Sequence, residues 1–335
     1  MVINTNPSTQ QHTIVVVCIV APIFSSLFAA IRIWTRIFIT HSIGRDDYAS
    51  LVTLPFCIAF SVLVGLGTNY GFGWHTADVP PDRFVFYYKW LFIISAVYLS
   101  TLWLYKFTIL LLYLRLFDVH KPFRYVTWTV MFLVFGYLSS NLLTLIFGCT
   151  PIDKYWNSMN PGHCIPSTKA DLLYGSMNFI TDVLIFILPL PMIWRLKLSR
   201  ENKLGVILIF MGGAIASVVA LVRYAFLLRR YSATDIIWYD GKNLLWMVLE
   251  VNTGLICSCT TAFKPFFRYL ASNYIFKKSS PVSVSHRKTA VPSGRRSHTG
   301  PLAQQDTGGR GFMVLGDEET EMDGFTGALG VGHEV

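Results

Sequence analysis

Charged side chains are scarce in this sequence. Asp, Glu, Lys and Arg make up 14% of its 335 residues, whereas soluble domains carry about 25%. With 53% hydrophobic residues and a mean hydropathy of +0.48, the chain has too little polar material to cover a soluble surface. This composition excludes an ordinary soluble domain and indicates a membrane protein. The 25 Phe, 16 Tyr and 9 Trp agree, because aromatic residues concentrate at lipid–water interfaces.

Basic residues are missing from the first twelve positions, although the whole chain has a net charge of +9. A cleavable signal peptide begins with a basic segment, so we expect none here. The positive charges lie between apolar segments, where membrane topology explains them. We therefore expect a lipid bilayer, and no nucleic acid, as the partner of these charges.

The segments of the sequence with few charges are long and apolar. A helix needs roughly 20 mainly apolar residues to cross a hydrocarbon core about 30 Å thick, and its backbone polar groups must be paired within the span. The sequence therefore predicts an all-α membrane protein, a seven-transmembrane helix bundle over residues 13–268. The predicted spans are 13–38, 48–70, 86–114, 125–148, 171–194, 204–228 and 244–266.

Lys and Arg are distributed unevenly among the connections. Those that follow odd-numbered spans, together with the start of the C-terminal tail, hold more than the others. The positive-inside rule then predicts that the N-terminal tail, 1–12, is extracellular and the tail 269–335 cytoplasmic. This tail begins with a short amphipathic segment, and its later Ser, Gly, Pro and charges predict disorder. We expect a multi-pass protein of the plasma membrane.

Six cysteines are too few and too scattered for a disulfide scaffold. Cys149 and Cys164 both lie in "CTPIDKYWNSMNPGHC", which the predicted topology places on the oxidising outer side. A bridge there closes a loop of about 15 residues, worth roughly 3 kcal/mol in the chain-entropy model. We expect this disulfide, and the alternative is two free thiols.

Ionisable residues inside predicted spans are few, namely Arg32, Lys106, Asp182, Arg223 and Glu250. Such residues usually face the bundle interior, where they pair or mark a ligand or ion path. Depths of roughly 13 and 18 Å from the inner ends predict that Lys106 pairs with Asp182. Depths of roughly 27 Å predict that Arg223 pairs with Glu250. We expect Arg32 to extend to the inner surface.

The role of these intramembrane charges stays open at this stage. Asn178 lies one helical turn from Asp182, on the same face, and joins the same group of candidates. One hypothesis is that the pairs only hold helices together. The other is that Lys106, Asn178, Asp182, Arg223 and Glu250 bind a ligand or a proton.

The connection after the second span, "GFGWHTADVPPDRF", contains His75, Asp78 and Asp82. Imidazole and carboxylate groups are metal ligands, but their spacing here matches no recognised metal motif. We therefore expect an ordinary solvated loop and no metal site.

Several segments occur in an order typical of one family. They include "GRDDYASL", "YKFTILLLYLRLF", "CTPIDKYWNSMNPGHC" and "WMVLEVNTGLICSCTTAFKPFF". With them, the chain over about residues 30–270 resembles the fungal rhodopsin-domain family of seven-span membrane proteins. The resemblance marks Asp46, Asp47, Arg115 and Trp156 as family-pattern residues, together with the cysteine pair and the intramembrane charges. Some members resemble G-protein-coupled receptors, so the resemblance implies a receptor-like sensor.

Two functional hypotheses follow from these observations. A receptor-like sensor would respond to an unknown extracellular or membrane-borne cue, such as a small ligand. It would act on a cytoplasmic partner, for which a heterotrimeric G protein is one candidate by architecture alone. The alternative is a small-molecule or proton-linked membrane carrier that uses the intramembrane charges. No His-Glu-x-x-His or Gly-x-Gly-Asp pattern occurs, so we expect no enzyme.

A cofactor is not expected either, despite the family name. Retinal is held as a Schiff base on a lysine amine, in known rhodopsins near the middle of span seven. The predicted span seven offers Glu250 and Asn252 there, and its only lysine, Lys264, lies at the inner edge. Lys106 has no carboxylate beside it on span three. We therefore reject retinal.

Overall fold

A computed structural model describes residues 10–117, 121–157, 160–195, 200–263 and 266. Eight helices run through these ranges: α1 (Gln11–Trp34), α2 (Arg45–Gly67), α3 (Phe84–Leu116), α4 (Lys121–Phe147), α5 (Ser167–Ile187), α6 (Leu190–Arg195), α7 (Arg200–Ser232) and α8 (Ile236–Cys259). All but the short α6 are long. Two short strands, β1 (Cys149–Thr150) and β2 (His163–Cys164), lie between α4 and α5.

Six helical segments are long and apolar enough to cross a membrane, and they contain α1 to α5 and α7. The remaining long helix, α8, is less apolar because it carries Asp240, Glu250 and Asn252. These polar side chains are buried against neighbouring helices. The predicted seven-helix bundle is therefore confirmed, and α8 packs its polar side chains inside it.

Contacts between helices set the order of the bundle. α8 packs against α1, α2, α3 and α7, while α3 packs against α2, α4 and α8. α5 packs between α4 and α7. Large apolar side chains such as Ile23, Phe132 and Val218 are exposed on the outside of the bundle, where lipid would cover them.

The predicted disulfide is confirmed. β1 and β2 pair antiparallel with Cys149 opposite Cys164, and the two cysteines are bonded, with their Cα atoms 4.1 Å apart. Because successive helices alternate in direction, this hairpin lies on the same side as the start of α1. We call that side the outer side, as the sequence predicts.

Two predicted spans have different limits in the structure. α8 begins at Ile236, eight residues before the predicted start at 244, because Asp240 and Lys242 belong to the helix and not to a connection. The predicted fifth span, 171–194, is divided between α5 and α6. Pro189 stands at the division, where its missing N–H cannot continue the helical hydrogen bonds.

The predicted solvated loop after α2 is packed instead. Phe72, Trp74 and Val79 in this connection are buried, and short 3-10 turns span Thr68–Tyr70, Thr76–Asp78 and Pro81–Arg83. The sequence does not indicate this packing, because His75, Asp78 and Asp82 are polar and suggest a solvated loop. The predictions for the cytoplasmic tail, both the amphipathic start and the disordered part, lie outside the described residues.

Candidate functional site

A network of buried charges joins α3, α5, α7 and α8. Lys106 on α3 is fully buried, and its Nζ lies 2.9 Å from Oδ1 of Asp182 on α5. Arg223 on α7 lies with its Nε 2.7 Å from Oε2 of Glu250 on α8. Both ion pairs expected from the sequence are present. Their opposite charges balance, as buried charges require.

Asn178 on α5 links the two ion pairs. Its Oδ1 accepts a hydrogen bond from Lys106 Nζ at 2.9 Å, and its Nδ2 donates to Glu250 Oε1 at 2.6 Å. The sequence suggested two pairs at separate depths. In the structure the two pairs form one network. Depth counted from the predicted end of each span does not place one helix against another, and Asn178 on α5 reaches both Lys106 and Glu250.

Tyrosine hydroxyls complete this network. Tyr98 donates to Glu250 Oε2 at 2.8 Å, and Tyr105 donates to Asp182 Oδ1 at 3.2 Å. Tyr137 on α4 accepts from Lys106 Nζ at 3.0 Å. All three tyrosines lie on α3 or α4, so the network reaches a fifth helix. Each carboxylate thus has several donors, which a buried charge needs.

A cavity of about 170 Å³ lies on the outer side of the network, between α3, α4, α5, α7 and α8. Tyr137, Asn178 and Arg223 line it and belong to the network. Asp171 and Arg230 also line it, and the Asp171 side chain is 46% exposed. The cavity therefore extends from the buried charges toward outer solvent.

A second group of charges lies at the outer end of this cavity. Arg230 on α7 donates to Oδ2 of Asp171 at 3.3 Å and to Oδ2 of Asp240 at 3.4 Å. Tyr87 on α3 also donates to Asp240 Oδ2, at 3.0 Å. Burial raises the pKa of Tyr155, in the loop above, to about 12, so its hydroxyl stays protonated at neutral pH.

The fungal rhodopsin domain, as a family model, matches residues 31–269, which is most of the chain. The chain belongs to this family. No solved structure matches it. The family assignment agrees with the seven helices and the bridged outer hairpin, and it covers every residue of the charge network.

Three relatives of this fungal rhodopsin domain illustrate its range. The polyenoic acids biosynthesis gene cluster protein Ba17b of Metarhizium anisopliae is 24% identical over 94% of this chain and 92% of its own length. The receptor GIN3 of Arthrobotrys oligospora is 27% identical over 83% of this chain and 68% of its own. A SAT4 family membrane protein of Emericella nidulans is 27% identical over 63% of this chain and 54% of its own.

The inner ends of the helices hold a separate cluster of charges. Arg32 on α1 lies 2.5 Å from Asp46 and 2.9 Å from Asp47, both in the first turn of α2. Arg115 on α3 contacts the same two carboxylates at 2.9 and 3.0 Å. Asp47 Oδ2 also accepts the N–H of Gly44 at 2.8 Å, which caps α2.

The sequence suggested that Arg32 extends to the inner surface. The structure does not place it there. It is fully buried, and besides the two carboxylates it donates to the Ser258 carbonyl of α8. The prediction failed because Arg32 was placed only by its distance from the inner end of its own span, whereas the carboxylates that bind it belong to α2. These carboxylates in fact bind α1, α2 and α3 together.

Trp156, the remaining family-pattern residue, lies in the outer hairpin loop. Its ring is 6.0 Å from the ring of Phe92, centroid to centroid, and Lys89 Nζ lies 5.6 Å from its centroid. The tryptophan thus packs the loop onto the outer part of α3. This contact positions the loop beside the cavity, since Tyr155 lines it.

Sequence reasoning missed the outer charge group of Asp171, Arg230 and Asp240. The signal that would have revealed Asp240 is the regular spacing of apolar residues along α8. Asp240, Leu244, Met247 and Val251 are all buried, and their spacing is that of one helical face. That pattern would have extended the seventh span outward.

The loop after α2 also makes a polar contact that the sequence did not indicate. His75 contacts Asp235, and Asp235 Oδ1 accepts from the Thr76 backbone at 2.9 Å and its hydroxyl at 2.7 Å. Burial alone would raise the pKa of Asp235, but the hydrogen bonds from Thr76 and His75 outweigh it and lower the pKa. Among the described residues, no group of three or more His, Cys, Asp or Glu is arranged to hold a metal.

Proposed function

We propose that this fungal rhodopsin domain is a receptor-like sensor in the plasma membrane, and that its cue is a small molecule bound in the outer cavity. The observation that supports this most is the double role of Tyr137 and Asn178. Both line the cavity, and both contact Lys106 Nζ. A ligand there would touch the side chains that join the helices, so its binding would favour one helix arrangement over another.

The position of the cavity supports a route from outside to inside. The network at its base involves α3, α4, α5, α7 and α8, and α3 continues to Arg115 in the inner charge cluster. Interfaces of this kind have discrete arrangements, so a small shift at one end is passed along a helix. One relative, GIN3, is named a receptor.

A second candidate function is a small-molecule or proton-linked carrier. Its support is chemical, because intramembrane ionisable residues commonly line substrate and ion paths. The name of a relative agrees, since Ba17b is named for a gene cluster that makes polyenoic acids.

The proposed sensor catalyses no reaction and carries no retinal. Support for the second point comes from the surroundings of Lys106. Its amine is already occupied by the side chains of Tyr137, Asn178 and Thr181. In addition, α8 carries Glu250 and Asn252 where known rhodopsins have their lysine. The cytoplasmic partner in this proposal, a heterotrimeric G protein or another protein, would bind the inner connections and the tail.

Cells that express the full chain with a proximity-labelling enzyme at its C-terminus test this proposal. A panel of small acids, amines and neutral compounds is added outside. We expect at least one compound to change the labelling of a cytoplasmic protein. Ser95→Trp, which fills the cavity, should abolish the change. Leu143→Trp, on a lipid-exposed position of α4, should preserve it.

Purified protein in proteoliposomes separates the two functions. A sensor should not move the active compound across the membrane without cytosol. Uptake of that compound by the wild type, with no change in proximity labelling in cells, would contradict the sensor and favour the carrier.

A further inference from the structure

Arg223 has binding capacity that the protein does not use. The residue is 5% exposed and lines the cavity. Its Nε contacts Glu250, and its guanidinium carbon lies 5.9 Å from the Tyr98 ring centroid. Within the described part of the chain, no group accepts a hydrogen bond from its two terminal nitrogens. These two nitrogens are not enclosed by protein, since the buried partnerless nitrogen of this side chain is Nε, so they can donate to an acceptor bound in the cavity.

The unused edge of Arg223 has a defined preference. Terminal guanidinium nitrogens present parallel N–H groups that match the two oxygens of a carboxylate. Glu250 does not use this edge, because its contact is to Nε. Its charge is also stabilised elsewhere, by hydrogen bonds from Tyr98 and Asn178. The acceptor that fits best is therefore a ligand carboxylate.

The rest of such a ligand must be apolar. The cavity of about 170 Å³ is smaller than the roughly 300–1,000 Å³ of ordinary ligand sites. A groove of about 370 Å³ adjoins it, and Leu99 and Leu138 line both. Phe56 and Phe135 in the groove are exposed where lipid would lie. Together the two spaces have the size of a ligand site.

We propose that this site binds an amphiphilic monocarboxylic acid. Arg223 holds the carboxylate, and the hydrocarbon chain passes between Leu99 of α3 and Leu138 of α4 into the lipid-facing groove. The ligand thus reaches its site from the bilayer as well as from outside. This inference rests on the proposed function, since it names the class of the cue that occupies the cavity.

Binding to the full chain in nanodiscs of zwitterionic lipid tests the ligand class. The probes are radiolabelled dodecanoate, dodecanol, dodecyltrimethylammonium and butanoate, with empty nanodiscs subtracted. We expect dodecanoate to bind about tenfold or more tightly than dodecanol, as charged hydrogen bonds contribute, and also more tightly than butanoate. Equal binding of dodecanol, or tighter binding of the cation, would overturn the proposal.

Paired variants test the two named contacts. Arg223→Gln/Glu250→Gln keeps the charge balance and should weaken dodecanoate about tenfold to a hundredfold. Arg229→Gln, on an exposed position of the same helix, should not. Leu138→Trp should weaken dodecanoate and leave butanoate unchanged, while Leu133→Trp, exposed elsewhere on α4, should change neither. Thermal unfolding of each variant establishes that it is folded.

The result of the dodecanoate binding experiment can be distinguished from the result of the labelling experiment that tests the sensor. Dodecanoate binding that depends on Arg223, without any effect on cytoplasmic labelling, would uphold the ligand class and contradict the sensor. Retained binding in a folded Arg223→Gln/Glu250→Gln variant would contradict the ligand class, whatever the labelling shows.

Discussion

Lys106 has more acceptors than it has protons to donate. Its ammonium has three N–H donors, and its partners are Asn178, Thr181, Asp182 and Tyr137 at 2.8 to 3.2 Å. The amine can therefore exchange partners without losing all of its hydrogen bonds. A residue placed in this way can hold the helices in one arrangement and still permit a second.

Replacing Lys106 by Met should destabilise the protein severely. The change leaves Asp182 as an unpaired buried charge, which costs about 3–5 kcal/mol in soluble proteins. Lys106→Met/Asp182→Asn removes both charges and should recover most of the loss. Thermal unfolding and the amount of folded protein at the cell surface measure the effect. A stable Lys106→Met single variant would contradict the role of this pair.

Asp235 should make the outer loop sensitive to acid. Its pKa is lowered from 3.8 in the folded protein, so its contribution to stability is complete above that value and is lost as pH falls through the lower, folded-state pKa. Asp235→Asn should therefore be less stable than wild type at pH 7. The difference should shrink only below about pH 4.

Thermal unfolding of both proteins between pH 3 and 8 measures this difference. Asp82→Asn, at an exposed position in the same connection, serves as the comparison variant. A difference between wild type and Asp235→Asn that vanishes already near pH 6 would contradict the lowered pKa of Asp235 as its cause.

At the residue level, the sequence predicts charge pairs better than it predicts clusters. Lys106–Asp182 and Arg223–Glu250 follow from depth along the helices, because an isolated charge in lipid needs a partner. The link through Asn178 does not follow, since it depends on how closely α5 approaches α8. Arg32 fails for the same reason. Its partners are Asp46 and Asp47 on α2 and the Ser258 carbonyl on α8, and they depend on how α1 packs against these two helices.

Among the helices, α8 shows how polar residues obscure a span. Its Asp240, Glu250 and Asn252 lower its hydropathy, yet all three are buried inside the bundle. The lipid does not contact this face, so hydropathy is a poor guide to where the helix begins. The six other long helices, which have broad lipid-exposed faces, follow from hydropathy. The division at Pro189 follows from proline chemistry, and only its consequence for the fifth span was missed.

The outer hairpin is stabilised by one covalent bond, the disulfide between Cys149 and Cys164. Cys149→Ser/Cys164→Ser should lower the free energy of unfolding by about 3 kcal/mol, the chain-entropy value for a loop of this length. Reducing agent should lower the unfolding temperature of the wild type and leave the double variant unchanged. The buried thiols of Cys18 and Cys57 should not contribute. An equal effect of reductant on both proteins would contradict this account.

Across the whole molecule, polar groups are concentrated at three levels. The outer level contains Asp171, Arg230 and Asp240, the middle level contains the Lys106 network, and the inner level contains Arg32, Asp46, Asp47 and Arg115. The cavity lies between the outer and middle levels. α3 contributes to all three, through Tyr87, Lys106 and Arg115, so a shift of this helix would affect every level.

The distance between the inner ends of α2 and α4 tests this coupling most directly. Spin labels at Tyr48→Cys and Tyr125→Cys occupy exposed positions, and the four free cysteines are buried. The distance distribution is measured with and without saturating dodecanoate. We expect a shift in the wild-type background and none with Arg223→Gln/Glu250→Gln. An unchanged distribution while dodecanoate is bound would contradict it.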